Sequence, residues 1–472
     1  MTTHASAADR APATLSAASV IAVVVMAVAG YLAASNLQLV AAFAGALALA
    51  VWGVVAFHHP RAAVSTSFVA LLVAGTKFRT RDAAESLAGV VDAQILLELG
   101  LYAAVAVGLA AIWFGDKVDR RRANGIEILA ASYVAIALFS TLWSLAPALT
   151  VVRSTQLAIV VVLAVTATRV FTPAEAMQRA IAAICGFVMV CAALAAIFPF
   201  ASGTFDYPQH GTFRFAWFAV HPIEAGSLAA LGALGVLAAL LFKPSEPMPR
   251  PLGVPLPIVA MALVVVLLVT SSRGPFLAFA AGVVTLLLMR FEMRARAALL
   301  LTGAAALLAL IAMGPALTDW LSSVADSDGR LGAMLFRGQT ADEIVGLNGR
   351  LDLWADLRPA IAERSFFGYG YQASRSVLLD TAEWAAYAHN ALLQALLDLG
   401  VIGTLALLSV VAIGLFGAIS ASNRWLRAAI ACVMVFLVLN SISSESFAGA
   451  PGADMLLVML CAMAAMWREP NA

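Results

Sequence analysis

The sequence predicts an all-α polytopic membrane protein. Hydrophobic residues make up 62% of the 472 and charged residues only 12%, against roughly 25% charged in a soluble domain. The apolar residues also come in continuous runs near 20 residues, the length a helix needs to cross a bilayer. Transmembrane β-strands would alternate instead.

Taken in order, apolar runs lie at about 14–34, 37–57, 63–76, 94–114, 126–144, 151–168, 178–198, 222–242, 254–271, 274–290, 296–314, 389–418, 425–442 and 453–467. The expected count is about 12–14 transmembrane helices. The third run is short enough to be re-entrant or interfacial. The polar start followed by two close apolar runs resembles a first span more than a cleaved signal peptide. No soluble linker domain interrupts the runs, so residues 1–472 read as a single membrane domain, with 315–388 a large outer loop within it.

Orientation follows from Lys and Arg, which favour short cytoplasmic loops. Lys117 to Arg122, Arg169 with Arg179, Lys243 with Arg250, Arg290 to Arg296, Arg424 with Arg427, and Arg468 form one set of basic loops. They alternate with loops near 145–150, 199–221, 272–273, 315–388 and 443–452, which therefore face outward. Lys77, Arg79 and Arg81 break the pattern if the third run crosses. Both termini are expected in the cytoplasm.

The four cysteines, Cys185, Cys191, Cys432 and Cys461, all lie in apolar runs and read as packing residues. No Walker A sequence is present. The outward histidines His210, His221 and His389 lack metalloprotease or paired-cysteine spacing, so neither a metal nor another cofactor is expected. Nothing points to nucleic acid.

Chemistry has room in one long polar excursion, Gly349 to Gly403, GRLDLWADLRPAIAERSFFGYGYQASRSVLLDTAEWAAYAHNALLQALLDLGVIG. Leu351, Trp354, Leu357 or Arg358, and Ile361 share one helical face, and Pro359 is expected to kink or end that helix. Arg273 lies in a tight outer connection, Thr270-Ser271-Ser272-Arg273-Gly274-Pro275. Arg214 lies in an aromatic outer segment, and Arg350 opens the Trp354 helix. Cations at bilayer depth suggest an anionic partner, and the guanidinium fork suits phosphate oxygens. The competing reading pairs each with lipid headgroups or a nearby acid. His389 heads a long apolar run and titrates near neutrality, which suits a general base; it can equally be an interfacial capping residue.

These motifs resemble the O-antigen ligase and O-antigen polymerase family of bacterial envelope proteins. The resemblance rests on Thr270-Ser271-Ser272-Arg273-Gly274, Gly349-Arg350-x-x-x-Trp354, Gly368-x-Gly370, His389-Asn390 and Leu399-Gly400-Val401-Ile402-Gly403. His389 and Gly400 fit the family's His-x10-Gly pattern. Arg214 precedes Gly226 by one position more than the family's Arg-x10-Gly pattern. Before about residue 200 only the apolar spans match.

The resemblance implies a lipid-sugar glycosyltransferase with GT-C-like architecture in the bacterial inner membrane. Such an enzyme works on the periplasmic side without metal or nucleotide. Its implied donor is a glycan on undecaprenyl diphosphate. Its acceptor is a hydroxyl of lipid A-core, of another glycan repeat or of a protein. His389 is implied as catalytic base, and Arg273, Arg214 and Arg350 as the diphosphate cradle, supported by Asn390, Trp354 and His221. Direct displacement would invert the anomeric carbon. The residues leave open ligase against surface-polysaccharide polymerase, and also a transporter or flippase of lipid-linked saccharide.

Overall fold

The computed structural model describes residues 38–76, 92–115, 118–119, 121–198, 215–216, 221–296, 349–382, 384–421 and 423–467, with the side chains of 38–44 left aside. Among them the regular structure is entirely helical. The expected spans at 14–34 and 296–314, the basic cluster at Lys77 to Arg81, and residues 315–348 of the outer loop lie outside the described residues.

The described residues fall into two compact units. The smaller holds α1 (Gln38–His58), α2 (Pro60–Ala74) and α3 (Ala93–Phe114). Only His59 separates α1 from α2, because Pro60 suits the first helical position and restarts the chain. Asp92 caps α3 by accepting from the Ile95 amide at 3.0 Å. The indole Nε1 of Trp52 donates to the Ala104 carbonyl at 2.8 Å, joining α1 to α3 inside the unit.

Among the described residues the larger unit contains nine long helices: α4 (Gly125–Phe139), α5 (Pro147–Val170), α6 (Pro173–Ile197), α7 (Pro222–Phe242), α8 (Leu256–Val269), α9 (Arg273–Arg290), α13 (Ala391–Gly417), α14 (Arg424–Asn440) and α15 (Ala453–Ala465). Among the described residues between α9 and α13 lie three short helices, α10 (Arg350–Asp356), α11 (Arg358–Glu363) and α12 (Arg375–Thr381). Seven helices among the described residues are long and apolar enough to cross a membrane, which makes this an all-α polytopic membrane protein.

The starts of these helices are written locally. Asn124 and Glu127 form a reciprocal capping box at α4. Thr172 caps α6 ahead of Pro173, His221 caps α7 ahead of Pro222, and Asn423 caps α14.

Helix α7 is the inside helix. Of its most apolar stretch 78% is buried, against 22–44% for the other six spans. Small residues allow this: a Cβ on Gly235 would lie 2.5 Å from Ile181 of α6, so the two backbones approach more closely than any side chain permits. Helices α6, α8, α9 and α14 surround α7, while α4, α5, α13 and α15 form the other side of the unit.

The connections between these helices sort to two ends. At one end Arg169 pairs with Glu127 at 2.7 Å, Arg121 lies over the Trp467 ring, and Gln178 donates to the Glu246 carbonyl. This end gathers basic loops of the first set. The other end gathers residues 140–147, 221–222, 270–273, 349–390 and 441–452, which hydrogen-bond or pack on one another.

The expected span at 389–418 is interrupted. At Gly400 the backbone takes φ +60, ψ −163, and the helical ladder of α13 breaks. Unpaired peptide groups are costly at membrane depth. A strap of residues 365–370 satisfies them: Tyr369 and Gly370 donate to the carbonyls of Leu397 and Asp398 at 2.8 and 2.9 Å. The amides of Val401 and Ile402 donate to the carbonyls of Ser365 and Phe366 at 2.8 and 3.4 Å. The far side of the strap is held by the α4–α5 connection. There Trp143 donates to the Phe367 carbonyl, Leu145 to the Tyr369 carbonyl, and Tyr371 to the Ser140 hydroxyl. The Gly-x-Gly turn and Gly400 therefore belong to one feature.

The described residues from 349 to 390 carry three short helices. Pro359 does end the first helix, so α10 and α11 are separate pieces meeting at Leu357. The buried face differs from the expected one. Leu351 is 46% exposed, whereas Leu353 and Leu357 are buried beside Tyr369, Leu378, Ala385, Ala388 and Leu397. Helix α10 has only two turns, and its buried pair is the i, i+4 couple that faces α13. Trp354 and Ile361 pack at the edge of this cluster.

Candidate active site

The turn after α14, Ser441-Ile442-Ser443-Ser444-Glu445-Ser446, collects the outer residues. Its successive carbonyls are acceptors for three different partners. Ser441 accepts from the Ala391 amide at 2.9 Å, Ile442 from Asn390 Nδ2 at 3.2 Å, and Ser443 from Arg350 Nη1 at 2.7 Å. Its Glu445 carboxylate lies 3.8 Å from Nδ1 of His389. One short turn thus brings Arg350, His389, Asn390 and Glu445 together.

His389 is held from both chain directions. Before it, Ala388 is fixed twice: its carbonyl accepts from Trp354 Nε1 at 2.9 Å, and its amide donates to Gln394 Oε1 at 3.0 Å. After it, Asn390 caps α13 by accepting from the amides of Leu392 and Leu393. Between these anchors His389 takes the left-handed conformation, φ +50. That conformation is uncommon for a residue with a Cβ and persists only where the surroundings over-determine it. The imidazole stacks on Trp384, centroids 5.8 Å apart and planes within 16°.

The electrostatics favour a neutral imidazole. Burial and then the nearby Arg350 guanidinium pull the His389 pKa from 6.5 down to about 4. The Glu445 carboxylate would oppose this, but 3.8 Å is beyond hydrogen-bond range, so burial and Arg350 prevail in this conformation. Burial also lowers the Arg350 pKa, and the charge of Glu445 acts against that. A neutral imidazole has a lone pair free for a proton, while burial and the Arg350 charge make it a weaker base.

Arg273 opens α9 next to the same turn. Its neighbour Gly274 packs so close that a Cβ there would lie 2.5 Å from Ser443 Oγ. The preceding Ser272 donates to the Pro222 carbonyl at 2.9 Å, tying the Arg273 turn to the start of α7. His221 stands there as the cap of α7: its Nδ1 accepts from the Ile223 amide at 3.2 Å. Arg214 lies outside the described residues, although Phe215 after it donates to the Val269 carbonyl beside this turn. Among the described residues no cluster of three or more His, Cys, Asp or Glu side chains is spaced to hold a metal ion.

Residues 258–408 match the family model described as O-Antigen ligase. Over this third of its length the chain is similar to O-antigen ligases. The matched segment starts in α8, takes in Arg273, Arg350, Trp354 and His389, and ends in α13 beyond Gly400. Over 157 residues the chain is 29% identical to the O-antigen ligase of Pseudomonas aeruginosa. That match covers 33% of this chain and spans a third of the relative's length. Glu445, His221 and Arg214 lie beyond the matched segment.

Sequence reasoning placed the turn at 443–452 outward but passed over Glu445. The available signal was a carboxylate in a short outer loop between two spans, where an ionisable group is costly. It also missed the buried Asp398 of α13. That carboxylate accepts from Ser374 Oγ at 2.6 Å, Gln394 Nε2 at 3.0 Å and Gln372 Nε2 at 3.3 Å. Through Gln394 this network reaches the amide of Ala388 beside His389.

Proposed function

We propose that this protein transfers a glycan from undecaprenyl diphosphate to an acceptor hydroxyl, at the end of the larger unit where His389, Arg350 and Arg273 lie. The observation that carries this reading is the joining of Arg350 and His389 on one turn, with the imidazole kept neutral. The match of residues 258–408 to the O-antigen ligase family model supports it.

In this reaction the acceptor hydroxyl gives its proton to the His389 imidazole as its oxygen attacks the anomeric carbon. The bond from that carbon to the phosphate oxygen breaks, and the diphosphate leaves with the electron pair, still on its lipid. A single displacement inverts the anomeric centre. Arg350 and Arg273 stabilise the charge that grows on the leaving diphosphate, supplying fixed cations where a metal would otherwise stand. Arg214 is a third candidate for the same cradle. The N-termini of α7, α9 and α13 open at this end and add positive potential.

The basic loops at the opposite end favour the cytoplasmic side, which supports a periplasmic site in an inner-membrane protein. Lipid A-core as acceptor makes the protein a ligase, and another repeat unit makes it a polymerase.

The test is ligated or polymerised glycan from cells carrying His389→Ala, with the membrane level of the variant measured in parallel. Loss of product at normal level is expected. Retained product would sink the base assignment. Product formed in proteoliposomes without an ion gradient separates the enzyme from a transporter.

A further inference from the structure

The group nearest to Nδ1 of His389 that carries a formal negative charge is Glu445, at 3.8 Å. Its position is built rather than incidental. The turn that carries it is fixed by Ala391, Asn390 and Arg350 through three successive carbonyls. Behind it, the Ser446 hydroxyl donates to Asp454 at 2.6 Å, tying the turn to α15. Gly449 leaves room for the side chain, since a Cβ there would lie 2.7 Å from Glu445 Cγ. Trp384 covers a face of the imidazole, so the ring is held between an aromatic plane and the turn. Among the described residues, the charged groups facing His389 are Arg350 from α10 and Glu445 from the turn after α14.

We propose that Glu445 is a positioning residue for His389. Taking up about one ångström, its carboxylate accepts a hydrogen bond from Nδ1–H and holds the tautomer whose Nε2 lone pair faces the acceptor hydroxyl. Catalytic hydrogen bonds are often long before substrate binds and tighten in the loaded enzyme. The inference rests on the function proposed above. In the step itself the hydroxyl proton passes to Nε2, the new glycosidic bond forms, and the bond to the diphosphate breaks with its electrons on the leaving group. The resulting imidazolium is stabilised by the Glu445 charge, which itself takes up no proton. The proton is then released from Nε2 to water. Orienting carboxylates act this way on catalytic histidines in unrelated folds.

The experiment compares full-length wild type, Glu445→Gln, Glu445→Asp and His389→Ala in proteoliposomes, with an undecaprenyl-diphosphate-linked glycan as donor. Membrane level and thermal stability are checked for each. Expected for Glu445→Gln is a kcat lowered roughly 10²- to 10⁴-fold with little change in KM for the donor. The acid limb of its kcat/KM profile moves to lower pH, because removing an anion beside an imidazole lowers its pKa. Glu445→Asp restores part of kcat.

A Glu445→Gln enzyme with wild-type kcat, beside an inactive His389→Ala, overturns the proposal and leaves the base reading standing. A raised KM at unchanged kcat also overturns it, since that is the signature of a countercharge for Arg350 alone. Active His389→Ala removes the base reading and this inference with it. Should Glu445→Gln fail to accumulate, Glu445→Asp decides on the same split of kcat against KM.

Discussion

Gly400 and Phe366 meet backbone to backbone: the broken turn of α13 lies directly on the strap, with no space for a side chain at residue 400. The backbone of Gly400 is in a region that only glycine occupies readily. Gly400→Ala therefore suffers twice, through strain of about 1–3 kcal/mol and through collision with the Phe366 carbonyl group. The expected outcome is a lowered melting temperature in detergent and lost glycan product. A stable, active Gly400→Ala protein would contradict the observed break.

Asp398 ties the strap to α13 through side chains as the backbone does through amides. Replacing it by Ala leaves donors of Ser374, Gln372 and Gln394 without their acceptor in a buried place. Each such loss costs about 1–3 kcal/mol. The variant is expected to be destabilised by several of these increments and to accumulate poorly in membranes. Immunoblot level and thermal unfolding check this, and undiminished stability would show the network to be dispensable.

Trp354→Phe keeps an aromatic ring against the cluster but removes the Nε1 donor to the Ala388 carbonyl, together with part of the indole's packing. The stability cost is about 1 kcal/mol. The effect on turnover is expected to be larger than that cost suggests, because the lost bond anchors the residue before His389. Kinetics on the folded variant separate the two, and turnover falling no more than stability would dissociate Trp354 from the site.

The pH dependence has a definite sign. The folded pKa of His389, about 4, lies below the unfolded value of 6.5. The unfolded chain therefore binds more protons between these values, and this group's contribution to stability is lost as pH falls from about 6.5 toward 4. Activity that needs a neutral imidazole persists down to the same low pH. Arg350→Ala removes a neighbouring positive charge, so the pKa rises and the acid limb of activity moves upward. An acid limb unmoved in Arg350→Ala would show that the guanidinium does not act on His389.

The candidate site was legible in part because its signal is compositional. The Gly349 to Gly403 stretch carries Arg350, Trp354, His389 and Asn390 within one polar excursion of an apolar chain. Pro359 announced the break between α10 and α11, since its ring cannot sit in a helix interior. Glu445 was not legible in that way. It belongs to a short serine-rich turn far along the chain, and only folding puts it beside Nδ1 of His389.

By itself the sequence determined the helical membrane class, the sites of most helix ends and that the candidate residues lie in one set of loops. Those follow from hydropathy, caps and charge, which act over one turn or one span. The tertiary structure alone decided that α13 breaks at Gly400 on the 365–370 strap, that Leu353 is buried in place of Leu351, and that one turn gathers Arg350, His389, Asn390 and Glu445. The reason is that these are contacts between segments distant in sequence. Such pairings are fixed by close packing and by the need to satisfy every buried peptide group, conditions that no local pattern contains.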